Sequence, residues 1–163
     1  MVWPKLSLNI ISGNNTNRNP ENPYQKGALG IQMKVLYIED HPAQSDIMKQ
    51  MLEFSGCEVV LASTGEEGIE QAHKEQPDVI LMDLRMPGMG GIEAVKRLKN
   101  DAAVSDIPVI VLSAWTSRRN REDALEAGAA KFLAKPVDTR RLMAEINQLA
   151  SANDSGETDR QRG

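Results

Sequence analysis

The chain has 163 residues, 40% hydrophobic and 26% charged, with a net charge of −4, a length that suits one hydrophobic core. Its single cysteine, Cys57, excludes a disulfide framework and a multi-thiolate metal site, and two histidines, His41 and His73, cannot supply a histidine-rich cluster. No apolar run approaches the roughly 20 residues that span a bilayer, and no secretory signal opens the chain, so a cytoplasmic setting with no membrane partner is expected.

The charge is unevenly spread: residues 1–32 carry +2, residues 33–150 carry −5 and residues 151–163 carry −1. An acidic body argues against nucleic acid as a partner. Residues 1–32 read as a disordered extension, with six asparagines between positions 9 and 22 and little to bury against the entropy of ordering. Two readings of Val2, Trp3, Leu6, Leu8, Ile10 and Ile11 stay open: a patch that docks on the body, or residues upstream of a true start at Met33. Residues 151–163 read as a disordered polar tail.

Between them, Met33–Ile38 is a compact apolar run, followed by Ile47, Met48, Met51 and Leu52 at helical spacing. A short β-branched segment, Cys57–Leu61, precedes a helix over 65–74 capped by Thr64. Asp78–Met82 is a buried-strand run, and Ile92, Val95 and Leu98 share one face of a third helix. Ile107–Leu112 is the most apolar strand. A fourth helix stops at Gly128, Lys131–Ala134 is a short strand, and Leu142, Ile146 and Leu149 mark a last helix. Five strands alternating with five helices, the strands nearly all apolar, predict an α/β fold whose five-stranded parallel sheet is covered on both faces. Cys57 reads as a small core residue, and Met86 and Met89 as loop packing. Arg118, Arg119 and Arg121 oppose the macrodipole at the start of the fourth helix; they read as a solvated face, or as a basic entry that a partner could use.

In an open parallel sheet, ligands sit beyond the carboxyl ends of the strands. There the sequence places Glu39 and Asp40 after strand one, Asp83 after strand three, Ser113 after strand four, and Lys135 and Pro136 after strand five. Three carboxylates in one pocket repel unless one protonates or a cation neutralises them. A hard divalent cation such as Mg²⁺ suits oxygen ligands of this kind. A carboxylate held beside such a cation and a lysine is suited to phosphoryl chemistry, with the carboxylate as nucleophile.

Four motifs in this order, YIEDHP (37–42), LMDLRMPGMGGIEAVKRLK (81–99), VIVLSAW (109–115) and AAKFLAKP (129–136), resemble the response-regulator receiver domain of two-component signalling. The resemblance covers residues 33–150. It implies the flavodoxin-like strand order 2-1-3-4-5, a fold for which a member of this family is a standard example. Position by position, it implies Asp83 as phosphoacceptor and Mg²⁺ held by Asp40, Asp83, the backbone carbonyl of Arg85 and, through water, Glu39. It implies Ser113 as switch hydroxyl, Lys135 as a phosphoryl contact before a cis proline, and Phe132 as aromatic switch. The partners it implies are a histidine kinase or histidine phosphotransfer protein and a downstream protein target, with helix four to helix five as the face for a homodimer.

Two positions depart from the commonest pattern: Glu39 is longer than aspartate by one methylene, and His41 stands where Asn, Asp or Glu is more usual. Two roles stay open for His41, a cap on the first helix or a neighbour that tunes the metal site. Arg85 and Trp115, each two residues beyond a site residue, are expected to stack and to shield an acyl phosphate from water. The short segment after Ala150 suggests a stand-alone receiver acting by binding or relay rather than as an enzyme, with a fragment of a hybrid kinase or a phosphate-independent adaptor as alternatives. An aspartate-nucleophile phosphohydrolase would carry a second aspartate where Arg85 stands, and a dinucleotide-binding domain would need a glycine-rich turn after strand one.

Overall fold

Successive strand residues alternate between two hydrophobic cores, one on each face of the sheet. The computed structural model describes residues 32–157; the extension expected over 1–32 lies outside the described residues except for its last position, as does the tail from 158. The elements are β1 (Lys34–Ile38), α1 (Pro42–Phe54), β2 (Glu58–Ala62), α2 (Gly65–Glu75), β3 (Val79–Asp83), α3 (Gly91–Asn100), β4 (Val109–Ser113), α4 (Arg118–Glu126), β5 (Lys131–Ala134) and α5 (Thr139–Glu157). All strands are parallel, in the order β2-β1-β3-β4-β5. The α/β class and the 2-1-3-4-5 order are those expected.

Leu36, Ile38, Ile80, Met82, Val109 and Val111 join the core shared with α2, α3 and α4, together with Met86 and Met89. Val35, Tyr37, Val79, Leu81, Ile110 and Leu112 join the core shared with α1 and α5, where Cys57 also lies. Period-2 alternation forces this division, and burial of each large aliphatic side chain contributes about 1.5–3 kcal/mol.

The local signals act as their chemistry dictates. Pro42 sits in the first turn of α1, where its missing N–H is not needed. The Thr64 hydroxyl accepts from Glu67 N–H at 3.1 Å, and the Glu67 carboxylate accepts from Ser63 N–H at 2.7 Å, so the two ends of the first turn of α2 hold each other. β4 starts at Val109, because Pro108 has no N–H to give the ladder.

Two expectations need correction. Ile47 is 61% exposed, and Ser45, with Met48 and Leu52, forms the buried face of α1. Ser45 can be buried because its hydroxyl donates to the Glu39 carbonyl at 3.2 Å. The polar segment after Ala150 was expected to leave the helix, yet α5 continues to Glu157. Ala150 is buried and the next two residues are exposed; a formed helix adds one backbone bond per further residue without needing a buried face.

Gly91, the first residue of α3, lies against the end of β3. A Cβ there would stand 2.3 Å from the Asp83 carbonyl oxygen, and Gly91 N–H donates to the Leu84 carbonyl at 3.1 Å. Backbone cannot rotate away as a side chain can. Gly91→Ala is expected to cost about 1–3 kcal/mol, read as a lower urea midpoint with an unchanged slope.

Candidate functional site

Glu39 and Asp40 follow β1, Asp83 ends β3, Ser113 ends β4, and Lys135 follows β5, so all five stand at the same sheet edge. Glu39, Asp40, His41, Gln44, Asp83, Arg85, Ser113 and Trp115 line a cleft of about 520 Å³ at this edge, with Met86, Pro87 and Ala114 completing its wall. Glu39, Asp83 and Ser113 are buried.

Lys135 organises the charges. Its Nζ donates to Glu39 Oε2 at 2.5 Å and to Gln44 Oε1 at 3.0 Å, and lies 3.4 Å from Asp83 Oδ1. Glu39 accepts from its neighbours on both oxygens: Oε2 also takes the Tyr37 hydroxyl at 3.0 Å, and Oε1 takes the His41 backbone N–H at 3.1 Å. Asp83 Oδ2 accepts from Arg85 N–H at 3.0 Å. Burial raises the Asp83 pKa above the ordinary aspartate value; Lys135 opposes this, while Glu39 adds to it. Burial beside Glu39 likewise pushes the Tyr37 hydroxyl upward, so it stays a donor.

Ser113 Oγ accepts from Trp115 N–H at 3.0 Å, which ties this hydroxyl to the loop after β4. The Arg85 guanidinium lies 3.8 Å from the centroid of the Trp115 ring, the expected stack, at the mouth of the cleft. Phe132 is not in the cleft: it is buried in the core shared with α4, and the Arg121 guanidinium lies 4.9 Å from its ring centroid. Arg118 and Arg119 pair along α4 with Glu122 and Asp123, which fits their reading as a solvated face. The peptide bond before Pro136 is cis. Cys57 is buried, its thiol pushed up to about 11 by loss of solvent.

His41 occupies the N-cap position of α1, but its side chain makes no capping bond. Its Nδ1 instead lies 3.3 Å from Asp40 Oδ1 and 3.5 Å from Glu39 Oε1. Sequence reasoning missed Tyr37 and Gln44. Tyr37 was hidden in an apolar run, although a buried tyrosine hydroxyl needs a partner and the acid two residues on is the nearest candidate. Gln44 carries no motif; only the fold brings it to Lys135.

Asp83 is more costly to ionise in the fold than in the unfolded chain. Its ionised form therefore weakens the fold at neutral pH, and that cost disappears as the pH falls and the carboxyl protonates. In chelator-treated protein, Asp83→Asn is expected to raise the thermal midpoint at pH 7, with the difference closing below about pH 4, near the ordinary aspartate pKa.

Residues 35–147 match the family model of the response regulator receiver domain. Protein PilH of Pseudomonas aeruginosa is 37% identical over 116 residues, covering 71% of this chain and 96% of PilH. The polar-differentiation response regulator DivK of Brucella ovis is 30% identical over 112 residues, covering 69% and 91%. Among solved structures, the receiver domain of sensor histidine kinase PA1611 from Pseudomonas aeruginosa, with a magnesium ion coordinated in its active-site cleft, superimposes with a TM-score of 0.69 at 28% identity, over 74% of this chain and 98% of that one. An acidic cleft at the carboxyl edge of a 2-1-3-4-5 sheet, a family match over most of the described chain and relatives matched nearly end to end agree: this chain belongs to the response regulator receiver domain family of two-component signalling.

Proposed function

We propose that the chain is a phosphorylation-controlled signalling switch in which Asp83 accepts a phosphoryl group from the phosphohistidine of a histidine kinase or a histidine phosphotransfer protein. The observation that carries this reading is the Lys135 ammonium held between Glu39 and Asp83. In the transfer, an Asp83 carboxylate oxygen bonds to phosphorus as the phosphorus–nitrogen bond of the donor breaks and the imidazole leaves. The product is an acyl phosphate on Asp83, and Lys135 is placed to offset the charge on its oxygens. Asp83 is buried, so little solvent competes for those oxygens.

The donor set fits a hard divalent cation, because three carboxylates meet there with Lys135 among them, while the Arg85 guanidinium is stacked on Trp115. Asp40, Asp83 and the backbone carbonyl of Arg85 would hold Mg²⁺ directly, and Glu39 through water. When bound, the ion supplies charge neutralisation for the transferring group. Ser113 then leaves Trp115 N–H for the phosphoryl group, and the rearranged loop biases Phe132 and α4, altering the face offered to a downstream protein or to a second copy through α4, β5 and α5. Self-catalysed acceptance and loss of phosphate is the whole chemistry in this reading, and the setting is cytoplasmic. The likeness to a kinase-borne receiver keeps one variant open: the same switch working as part of a hybrid kinase.

Incubation of the chain with a small phosphodonor and Mg²⁺ is expected to add the mass of one phosphoryl group, and Asp83→Asn to add none. No addition to the wild type would favour a phosphate-independent adaptor. The stacked Arg85 and Trp115 limit access of water to the acyl phosphate, so Arg85→Ala and Trp115→Ala should each shorten its lifetime, about tenfold if most of that shielding is lost; unchanged decay in both would remove the shielding role.

A further inference from the structure

We propose that His41, with Glu39 and Asp40, forms a mixed nitrogen–oxygen site for a first-row transition-metal dication at one corner of the cleft. This deepens the metal reading above, because Asp40 and Glu39 belong to both donor sets. One ligand atom from each of the three residues lies within 4.8 Å of the others. His41 Nδ1 stands 3.3 Å from Asp40 Oδ1 and 3.5 Å from Glu39 Oε1. Two atoms bound to one ion at about 2.1 Å and at right angles stand about 3 Å apart, so these spacings are close to those of neighbouring ligands.

The orientation of Glu39 agrees with this. Its Oε2 is held by Tyr37 and Lys135, which leaves Oε1 on the side of His41. Glu39 is thereby fixed before any ion arrives, and a preorganised carboxylate is the costly part of such a site. The imidazole is 67% exposed and uninvolved in capping α1, so it can turn toward an ion without disturbing the fold. Magnesium gains little from a nitrogen donor, whereas affinity for nitrogen rises along the series from Mn²⁺ to Cu²⁺. His41 therefore tilts an oxygen site toward softer ions.

The test is titration calorimetry on the full chain without a polyhistidine tag, using Mg²⁺ and Ni²⁺ separately. His41→Asn should weaken Ni²⁺ binding about tenfold or more, while Mg²⁺ affinity stays within about twofold. His73→Asn, which removes the only other histidine, should leave both unchanged. Pulsed electron paramagnetic resonance of the Cu²⁺-loaded chain should show an imidazole nitrogen coupling that His41→Asn removes. Equal Ni²⁺ affinity in His41→Asn, or no imidazole coupling at this site, would overturn the proposal and leave the His41 contact a hydrogen bond only. Absent Mg²⁺ binding with His41-dependent Ni²⁺ binding would support this site and overturn the magnesium assignment alone.

Discussion

One ammonium between two buried carboxylates is the constraint on which the rest of the site depends. Glu39 and Asp83 are both taken out of water at the edge of the sheet, on neighbouring strands β1 and β3. Two such charges repel strongly in a poor dielectric, and removing the partner of a buried ion costs on the order of 3 kcal/mol or more. Lys135 reaches both from the far side of β4, across 96 and 52 positions of sequence. The parallel sheet makes this possible: it lays the carboxyl ends of β1, β3, β4 and β5 along one edge, so that groups distant in the chain meet without any long loop.

That arrangement also keeps Asp83 uncomfortable. Asp83 is buried next to a like charge and only partly compensated, and its pKa is raised. A carboxylate so placed gains more from an incoming cation than an exposed one does, because less solvent has to be displaced and the repulsion is already present. At the opposite end of the sheet Lys34 likewise faces two carboxylates, Glu75 at 3.1 Å and Glu58 at 3.4 Å, but both are far more exposed than Glu39 and Asp83. The two ends differ in the burial of their acids, not in the ratio of lysine to carboxylate.

Much of this was legible in the residues. Near-continuous apolar runs such as DVILM and IPVIVL could only be strands covered on both faces, and that requirement leads to a parallel sheet and to its carboxyl edge. The polar residues terminating those runs then identified Glu39, Asp40, Asp83, Ser113 and Lys135, and the structure sets them at one edge. What escaped detection depends on side-chain direction rather than on pattern. Ile47 has the right spacing for the core and points away from it, because Ser45 takes the buried position by bonding to a backbone carbonyl. The Tyr37 hydroxyl and the Gln44 amide act across space, and no periodicity encodes them. His41 stood at a helix start as a cap would, yet only its geometry showed the imidazole turned toward the acids.

The tight seat of Gly91 has a mechanical consequence. Its backbone lies so close to the Asp83 carbonyl that the start of α3 and the Asp83 peptide cannot move independently. At the other end of α3, Lys99 donates to the carbonyls of Ser105 at 2.9 Å and Ile107 at 2.6 Å, and its stem lies against Gly128 in the turn between α4 and β5. Ten residues of helix, about 15 Å long, are therefore clamped at both tips. α3 is a strut that fixes the spacing between the end of β3, where Asp83 stands, and the far corner of α4, a rigid member along one flank of the domain.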